Sequence, residues 1–494
     1  MTNIDRVAGV LASVTSLPGP HGIGDFGESS YAFVDLLSEN GFSLWQILPL
    51  NPIGYGHSPY QPFSSYAIDE QFISLSLLKK EGLLDKAPAF HKDATRVPYE
   101  EVRAYKLPLL RKAFEKDMAL HPHSLSAFKK ANPWVKEWAI FSMFHRKYPR
   151  SWSEWPERER DFLRAGGKLT PSEKEDATFE IWLQKKAYAQ WNKLHAYANK
   201  KGIRIIGDIP FYVGFDSCDV YGNLNAFLID ERTLEPTFIA GVPPDYFSAT
   251  GQRWGNPIYD WDYLKATDYA FLQERILRAS KVYDVIRLDH FRAFDTFWKI
   301  PSSCPTAIEG AWIEAPGYEF FDSLFSKDPS LKERIIAEDL GDLRPEVLVL
   351  RDHYDFPGMN VIEFTFHDAE ILHRDGFDAV NSVCYLGTHD NDTMLSYFKH
   401  LDQGEQGAWV SALDGLGIEQ GPIVDRMVSY CLAKPGKWAI LSLQDILGLD
   451  EDARTNIPST VNAVNWTFRV PSLSLLRPAL RRLRKKIQKC GRAA

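Results

Sequence analysis

The sequence predicts an α/β protein built on a (β/α)8 TIM barrel, and three observations carry that reading. Eight short β-branched runs recur along the 494 residues, helical patterns fill the gaps between several of them, and successive runs end in carboxylates. Runs nearly continuous in apolar residues suit a parallel sheet covered on both faces. Alternation with helices closes such a sheet into a barrel, which needs about 250 residues.

The runs lie at 8–14, 44–50, 203–211, 285–291, 334–340, 359–364, 383–390 and 438–446. Residues 29–40 form the clearest helix between them, with Phe33, Val34, Leu36 and Leu37 on one face and Gly41 as the stop. The whole chain, 1–494, reads as one catalytic barrel, because strand-type runs resume beyond each long gap. Residues 70–200, rich in helix formers and tryptophan, are expected to form a helical insertion after the second strand. Residues 212–284 form a second insertion, which carries a loop at 241–254; the inserted subdomains are expected to be mainly helical. The C-terminal helix sets Leu476, Leu480, Leu483 and Ile487 in one stripe among Arg481, Arg482, Lys485 and Lys486, a solvated basic face over a core-facing one.

Composition narrows the function classes. Hydrophobic residues make up 45% and charged residues 25%, which is ordinary globular usage. A formal charge of -8 argues against nucleic acid as partner, since that needs an electropositive face. No apolar run approaches the roughly 18–20 residues of a membrane helix, so no membrane partner is expected. The start, Met-Thr-Asn-Ile-Asp-Arg, lacks the basic flank of a signal peptide. Cys218, Cys304, Cys384, Cys431 and Cys490 are odd in number and scattered, which suits buried thiols and a cytoplasmic location.

Gly22-x-Gly24-x-x-Gly27 lies between a strand and a helix. A dinucleotide fingerprint needs the strand to enter the glycine turn directly and an acid at the end of the next strand. Here Thr15–Pro20 intervenes as residues 15–20 of loop, and the next strand ends Pro49-Leu50-Asn51, so these are loop glycines and no nicotinamide cofactor is expected.

The strand ends say more. Arg287 and Asp289 are two residues apart on one strand face, Glu338 and Asp339 end the fifth run, His389 and Asp390 the seventh, and Asp208 the third. In this architecture such ends converge at the C-terminal face, where active sites form. Two chemistries compete for them. His290, His389, Asp289 and Asp390 offer ligand types for a hydrolytic metal, but without His-x-x-x-His, His-x-His or a cysteine pair. Glycoside chemistry needs one ionised carboxylate and one protonated acid. Arg287 would hold Asp289 ionised, and the apolar Ile335, Ile336 and Ala337 before Glu338 could keep its proton through burial. Tyr55, Tyr60, Tyr246, Phe247 and Trp254 supply flat faces for sugar rings.

In these residues the sequence resembles the amylomaltases, the 4-α-glucanotransferases or disproportionating enzymes of the α-amylase superfamily. The matching segments are Thr15-Ser-Leu-Pro-Gly19, Trp45-Gln-Ile-Leu-Pro-Leu50, Gly54-Tyr-Gly-His-Ser-Pro-Tyr-Gln61, Gly207-Asp-Ile-Pro210 and Ala240-Gly-Val-Pro-Pro-Asp-Tyr-Phe-Ser248. They continue through Thr250-Gly-Gln-Arg-Trp-Gly-Asn-Pro257, Arg287-Leu-Asp-His-Phe-Arg292, Ala337-Glu-Asp-Leu-Gly341 and Gly387-Thr-His-Asp-Asn-Asp392.

The resemblance implies a retaining transfer of α-1,4-glucan segments (maltodextrins, glycogen or starch) to a 4-hydroxyl through a covalent glycosyl-enzyme. It implies no required metal or cofactor and no separate C-terminal β-domain. Asp289 matches the nucleophile, Glu338 the general acid/base and Asp390 the third carboxylate. Tyr60, Asp208, Trp254, Arg287 and His389 would line the subsite of the distorted sugar, with Ser58, Gln252 and Tyr246 also in contact with substrate. Tyr55 matches a residue that stacks on glucan at a secondary site in some relatives. The chain departs from the pattern at Ala67-Ile-Asp-Glu70, at Phe211-Tyr-Val-Gly214 and Cys218, at Tyr221-Gly222, and at Arg454-Thr-Asn-Ile-Pro-Ser459. None of these departures replaces one of the three carboxylates.

Overall fold

The computed structural model describes residues 6–90, 95–244, 248–365 and 379–493. In chain order the strands are β1 (Val7–Leu11), β2 (Leu44–Gln46), β3 (Arg204–Ile209), β4 (Phe238–Val242), β5 (Gln252–Pro257) and β6 (Val285–Leu288). They continue with β7 (Thr296–Pro301), β8 (Ala311–Glu314), β9 (Ile335–Ala337), β10 (Gly358–Val361), β11 (Ser382–Tyr385) and β12 (Trp438–Ser442).

Eight of them form one parallel sheet in the order β10-β11-β12-β1-β2-β3-β6-β9. Across the remaining seam Ala337 N–H donates to the Pro357 carbonyl at 3.0 Å and Met359 N–H donates to Asp339 Oδ1 at 2.7 Å, which brings the edges together as a (β/α)8 barrel. These are the eight runs read from the sequence. Each is apolar on both faces because one face lines the barrel and the other lies under helices. Leu44, Ile206, Val285, Ile336, Met359, Val383, Tyr385 and Ile440 fill the interior. Their outward neighbours Trp45, Ile205, Ile286, Ile335, Cys384 and Ala439 join the larger core beneath the helices.

That alternation has a consequence at the C-terminal ends. Asp208 follows Ile206 by two residues, Arg287 and Asp289 follow Val285 by two and four, and Glu338 follows Ile336 by two. The period of two therefore carries all four polar side chains to the inside, as the layer above the apolar plug.

Between β2 and β3 stand the helices Leu75–Lys80, Tyr99–Leu120, Ser126–Ala131, Val135–Lys147 and Pro171–Lys200. The last begins at a capping box, with the Thr170 side chain on Glu173 N–H, the Glu173 side chain on Thr170 N–H, and Pro171 in the first turn. It buries Ala187, Trp191, Leu194 and Ala198 on one stripe.

The chain between β3 and β6 holds more helix than strand, and it adds a sheet that the sequence pattern does not mark. Alongside the helices Cys218–Gly222, Trp261–Ala266 and Ala270–Val282 it contributes β4 and β5, which join β7 and β8 in an antiparallel sheet of order β5-β4-β7-β8. β7 and β8 come from a further excursion after β6. Ala311–Glu314 is almost wholly exposed and Gln252–Pro257 is polar, so neither strand shows the apolar alternation that marks a half-buried strand.

The glycine loop is built for close packing. Gly24 N–H donates to the Thr15 carbonyl at 3.2 Å, and a Cβ on Gly24 would sit 1.9 Å from the Val14 carbonyl oxygen. Leu476, Leu480, Leu483 and Ile487 are buried along the helix Leu473–Lys489. Among the described residues no helix is long and apolar enough to cross a membrane.

Candidate active site

The centre of the site is one buried cation between two carboxylates. Asp208 and Arg287 are partners in the register of β3 and β6. Arg287 Nη1 donates to both Asp208 oxygens at 2.8 Å and to Asp289 Oδ1 at 2.9 Å. Arg287 is 4% exposed and Asp208 2%. A guanidinium with such neighbours stays charged, and its own pKa is driven well above the ordinary value despite burial.

Burial raises the Asp289 carboxyl to about 6, against the pull of Arg287. Arg287 alone would lower it. Its charge is shared with Asp208, whose own negative charge also pushes Asp289 up, so burial prevails. Asp289 is nonetheless ionised at pH 7.

Glu338 is raised further, to about 8, by burial opposed by Arg287 and reinforced by the Asp289 charge. It is fixed from both sides of its chain segment: His290 N–H donates to Oε2 at 2.7 Å and Leu340 N–H to Oε1 at 3.3 Å. His290 reaches it from a left-handed conformation, φ 49° and ψ 49°, uncommon for a residue with a Cβ and placed at the turn that ends β6. Its ring is held neutral, pushed down to about 4 by burial and then by Arg292.

The third carboxylate stands on the loop after β11. Asp390 Oδ1 accepts from Asn456 Nδ2 at 2.6 Å, and Oδ2 lies 3.4 Å from His389 Nε2. Burial opposes ionisation, but the charge and hydrogen bond of His389 and the bond from Asn456 outweigh it and hold Asp390 at about 2. His389 belongs to a cluster of three rings: it stacks on Tyr60 at 4.9 Å and meets Trp466 at 5.8 Å, while Tyr60 and Trp466 lie 5.7 Å apart. Tyr60 in turn donates its hydroxyl to Asp208 Oδ2 at 2.8 Å, which ties the Asp390 side of the site to the Arg287 side.

The remaining candidates fall further out. Trp254 stands edge-on to His290 at 4.9 Å and donates Nε1–H to Gln252 Oε1 at 3.1 Å, so Gln252 orients the indole. Ser58 Oγ accepts from Tyr60 N–H at 3.2 Å, which supports the tyrosine from its backbone. Tyr55 is 74% exposed and is set apart from this network. Tyr246 and Phe247 lie outside the described residues.

Two contacts were not read from the sequence, Asn456 on Asp390 and Trp466 on His389. Asn456 does lie in the Arg454–Ser459 segment that matches the family pattern in part, and an asparagine kept there was the available signal. Trp466 carried none. Among the described residues no group of three or more His, Cys, Asp or Glu side chains is arranged to hold a metal ion. His290, considered as a ligand from its type, supports Glu338 through its backbone N–H, and its ring packs against Tyr212 and Trp254.

One ionised carboxyl held by a buried arginine, with a protonated carboxyl nearby, can break and remake a glycosidic bond. Comparison with known proteins agrees with this chemistry. The family model described as 4-alpha-glucanotransferase matches residues 12–475. The chain is 39% identical over 481 residues to a 4-alpha-glucanotransferase of Synechocystis sp., covering 94% of each chain. It is 37% identical over 475 residues to one of Streptococcus pneumoniae, covering 94% of this chain and 93% of that one. Its structure matches the amylomaltase from Streptococcus agalactiae, solved in complex with acarbose, with a TM-score of 0.93 and 35% identity over 99% of this chain and 100% of that one. On the full-length agreement of sequence, fold and strand-end chemistry, the chain belongs to the 4-alpha-glucanotransferase family.

Proposed function

We propose that the protein is a retaining 4-α-glucanotransferase in which Asp289 is the nucleophile, Glu338 the general acid/base and Asp390 the carboxylate that grips the hydroxyls of the distorted sugar. The observation that carries this assignment is the different setting of the two central carboxyls. Arg287 bonds to Asp289 at 2.9 Å, whereas Glu338 meets only backbone N–H groups among the described residues and is pushed up by burial and by the Asp289 charge, which favours a carboxylate beside an acid.

In the first half-reaction Glu338 gives its proton to the glycosidic oxygen as the Asp289 oxygen bonds to the anomeric carbon, and the leaving glucan departs with a free 4-hydroxyl. In the second, the 4-hydroxyl of glucose or another α-1,4-glucan attacks the same carbon. Its proton passes to Glu338 and the bond to Asp289 breaks, restoring both residues. Arg287, Asp208, Tyr60, His389 and Trp254 shape the subsite of the reacting sugar. Ser58 and Gln252 act through Tyr60 and Trp254. The exposed ring of Tyr55 suits a secondary glucan contact, and the loop at 241–254 is the cover of the site.

Maltotriose supplied alone tests the reading. Glucose together with maltotetraose and longer products supports transfer, whereas glucose and maltose with nothing longer would make the enzyme a hydrolase and overturn it.

A further inference from the structure

Outside the barrel, away from the three carboxylates, a cavity of about 480 Å³ opens between the helices Ser126–Ala131, Pro171–Lys200 and Ala270–Val282. Its size is that of small-molecule sites in general. Its charge is the opposite of the molecule's: Lys185, Arg278 and Lys281 line it and no carboxylate does, in a chain of formal charge -8.

These cations are poorly compensated. Neither Lys185 nor Lys281 has an ion pair or side-chain hydrogen bond among the described residues. The carboxylates nearest Lys185, Asp117 and Glu81, are each already paired with Lys186 at 3.1 Å. Burial, with the neighbouring Lys186 charge, pushes the Lys185 ammonium down against the pull of Asp117 and Glu81. Arg278 spends one Nη on Glu274 at 2.6 Å, but its buried Nε–H has no hydrogen-bond partner.

The rest of the wall is aromatic. Tyr188 packs against Phe128 at 6.1 Å and Trp134 at 5.8 Å, and its hydroxyl is pinned to the Tyr66 carbonyl at 2.5 Å. Arg278 lies over the Tyr66 ring at 5.1 Å, which holds the guanidinium in place at the cavity wall.

The geometry points to a binding site for a small organic phosphate, a phosphate monoester whose dianion meets Lys185, Arg278 and Lys281 and whose ring system lies against Tyr188 and Phe128. Three cations suit a dianion better than a carboxylate. A bare phosphate would fill little of the cavity and leave the aromatic wall unused, so the occupant carries a sugar or a base.

Isothermal titration calorimetry in phosphate-free buffer tests this with three probes: adenosine 5′-monophosphate, glucose 6-phosphate and inorganic phosphate. One or both organic phosphates should bind with one-to-one stoichiometry, more tightly than inorganic phosphate. Tighter binding of the nucleotide assigns the aromatic wall to a base, and tighter binding of the hexose phosphate assigns it to a sugar. Lys185→Gln with Lys281→Gln should weaken binding by about tenfold or more, the loss expected of charge-assisted hydrogen bonds. The double variant should convert maltotriose at the wild-type rate without phosphate, which shows that it folds. Lys281→Gln alone, on an exposed helix end, carries the same test with a smaller loss. Asp289→Asn should bind the probes unchanged. No binding of either organic phosphate, equal affinity for inorganic phosphate, indifference to the lysine variants, or loss of binding in Asp289→Asn would each overturn the proposal.

Discussion

The backbone N–H of His290 donates to Glu338 Oε2 at 2.7 Å, so the residue that follows one reactive carboxylate fixes the position of the other. That bond favours the charged form of Glu338, as does Arg287. Burial and the Asp289 charge nevertheless hold the carboxyl up at about 8. The two carboxyls are thus locked together both mechanically and electrostatically: while Asp289 is negative, Glu338 keeps its proton.

Asp289→Asn and Glu338→Gln should each abolish transfer while preserving the fold, because each changes a charge or a proton and little volume. General acid–base assistance is worth about 10²–10⁴-fold, and loss of the nucleophile should cost at least as much. The measurement is the initial rate of glucose release from maltotriose, with circular dichroism to verify folding. Near-normal activity of either variant would remove that residue from the mechanism.

The pH profile of kcat/KM should be a bell with limbs near 6 and 8. Activity falls below about 6 as Asp289 gains a proton and ceases to be a nucleophile. It falls above about 8 as Glu338 loses the proton it must donate. The limbs belong to the coupled pair. In Glu338→Gln the alkaline limb should vanish from whatever activity remains, and an unchanged profile would refute the assignment.

Stability should move the other way from activity. A carboxyl whose folded pKa is about 8, against the 4.5 of an ordinary glutamate, costs the folded state nothing below pH 4.5, and the full penalty is reached above pH 8. Glu338→Gln removes that penalty. Its melting temperature should therefore exceed that of the parent at pH 8, with the gain shrinking as the pH is lowered toward 5. A gain independent of pH, or a loss, would mean that the neutral amide fails to replace the protonated acid in its hydrogen bonds.

Much of this site was legible before any coordinates because barrel strands carry two signals at once. Their bodies are apolar on both faces, as in Val285-Ile286 or Ile335-Ile336, and their polar residues fall at the ends with even spacing, as in Arg287 and Asp289. What stayed hidden depends on contacts between residues far apart in sequence. Asn456 reaches Asp390 across 66 positions and Trp466 reaches His389 across a similar span, and no local pattern encodes either. The β4, β5, β7 and β8 sheet was missed for a different reason. Its buried isoleucines, Ile239 and Ile300, lie on β4 and β7, whereas Gln252–Pro257 and Ala311–Glu314 carry no apolar alternation that would mark them as strands.

Asn456 supplies the next test. Its amide donates to Asp390 Oδ1 at 2.6 Å and helps hold that carboxyl at about 2. A hydrogen bond to a charged group contributes about 1.5–3 kcal/mol, so Asn456→Ala should lower kcat/KM about tenfold or more. Asn456→Asp should be worse, since it removes the donor and sets a second carboxylate against Asp390. Equal activity of all three proteins would show that Asp390 is positioned without Asn456, by His389 and by the backbone bonds to Arg454 and Thr388.

The last prediction separates transfer from hydrolysis through the loop between β4 and β5. Water outnumbers any dissolved sugar, so transfer requires that water be kept from the glycosyl-enzyme and that the acceptor be held in place. The loop is set at its base by Gly251, which has φ 68° and accepts the Ser248 hydroxyl at its carbonyl at 2.7 Å. A Cβ there would lie 2.4 Å from the Val242 carbonyl oxygen and 2.8 Å from Ala307 Cβ. Both are parts of rigid neighbours, so Gly251→Ala must displace the loop from the strand pair beneath it. The β4–β7 pairing does not include this residue, so the sheet and the carboxylates should survive the change. With the cover displaced, Gly251→Ala should lower transfer and send more of the glycosyl-enzyme to water, read as more reducing ends formed per maltotriose consumed. An unchanged ratio of transfer to hydrolysis in a folded variant would leave the loop a structural element with no part in excluding water.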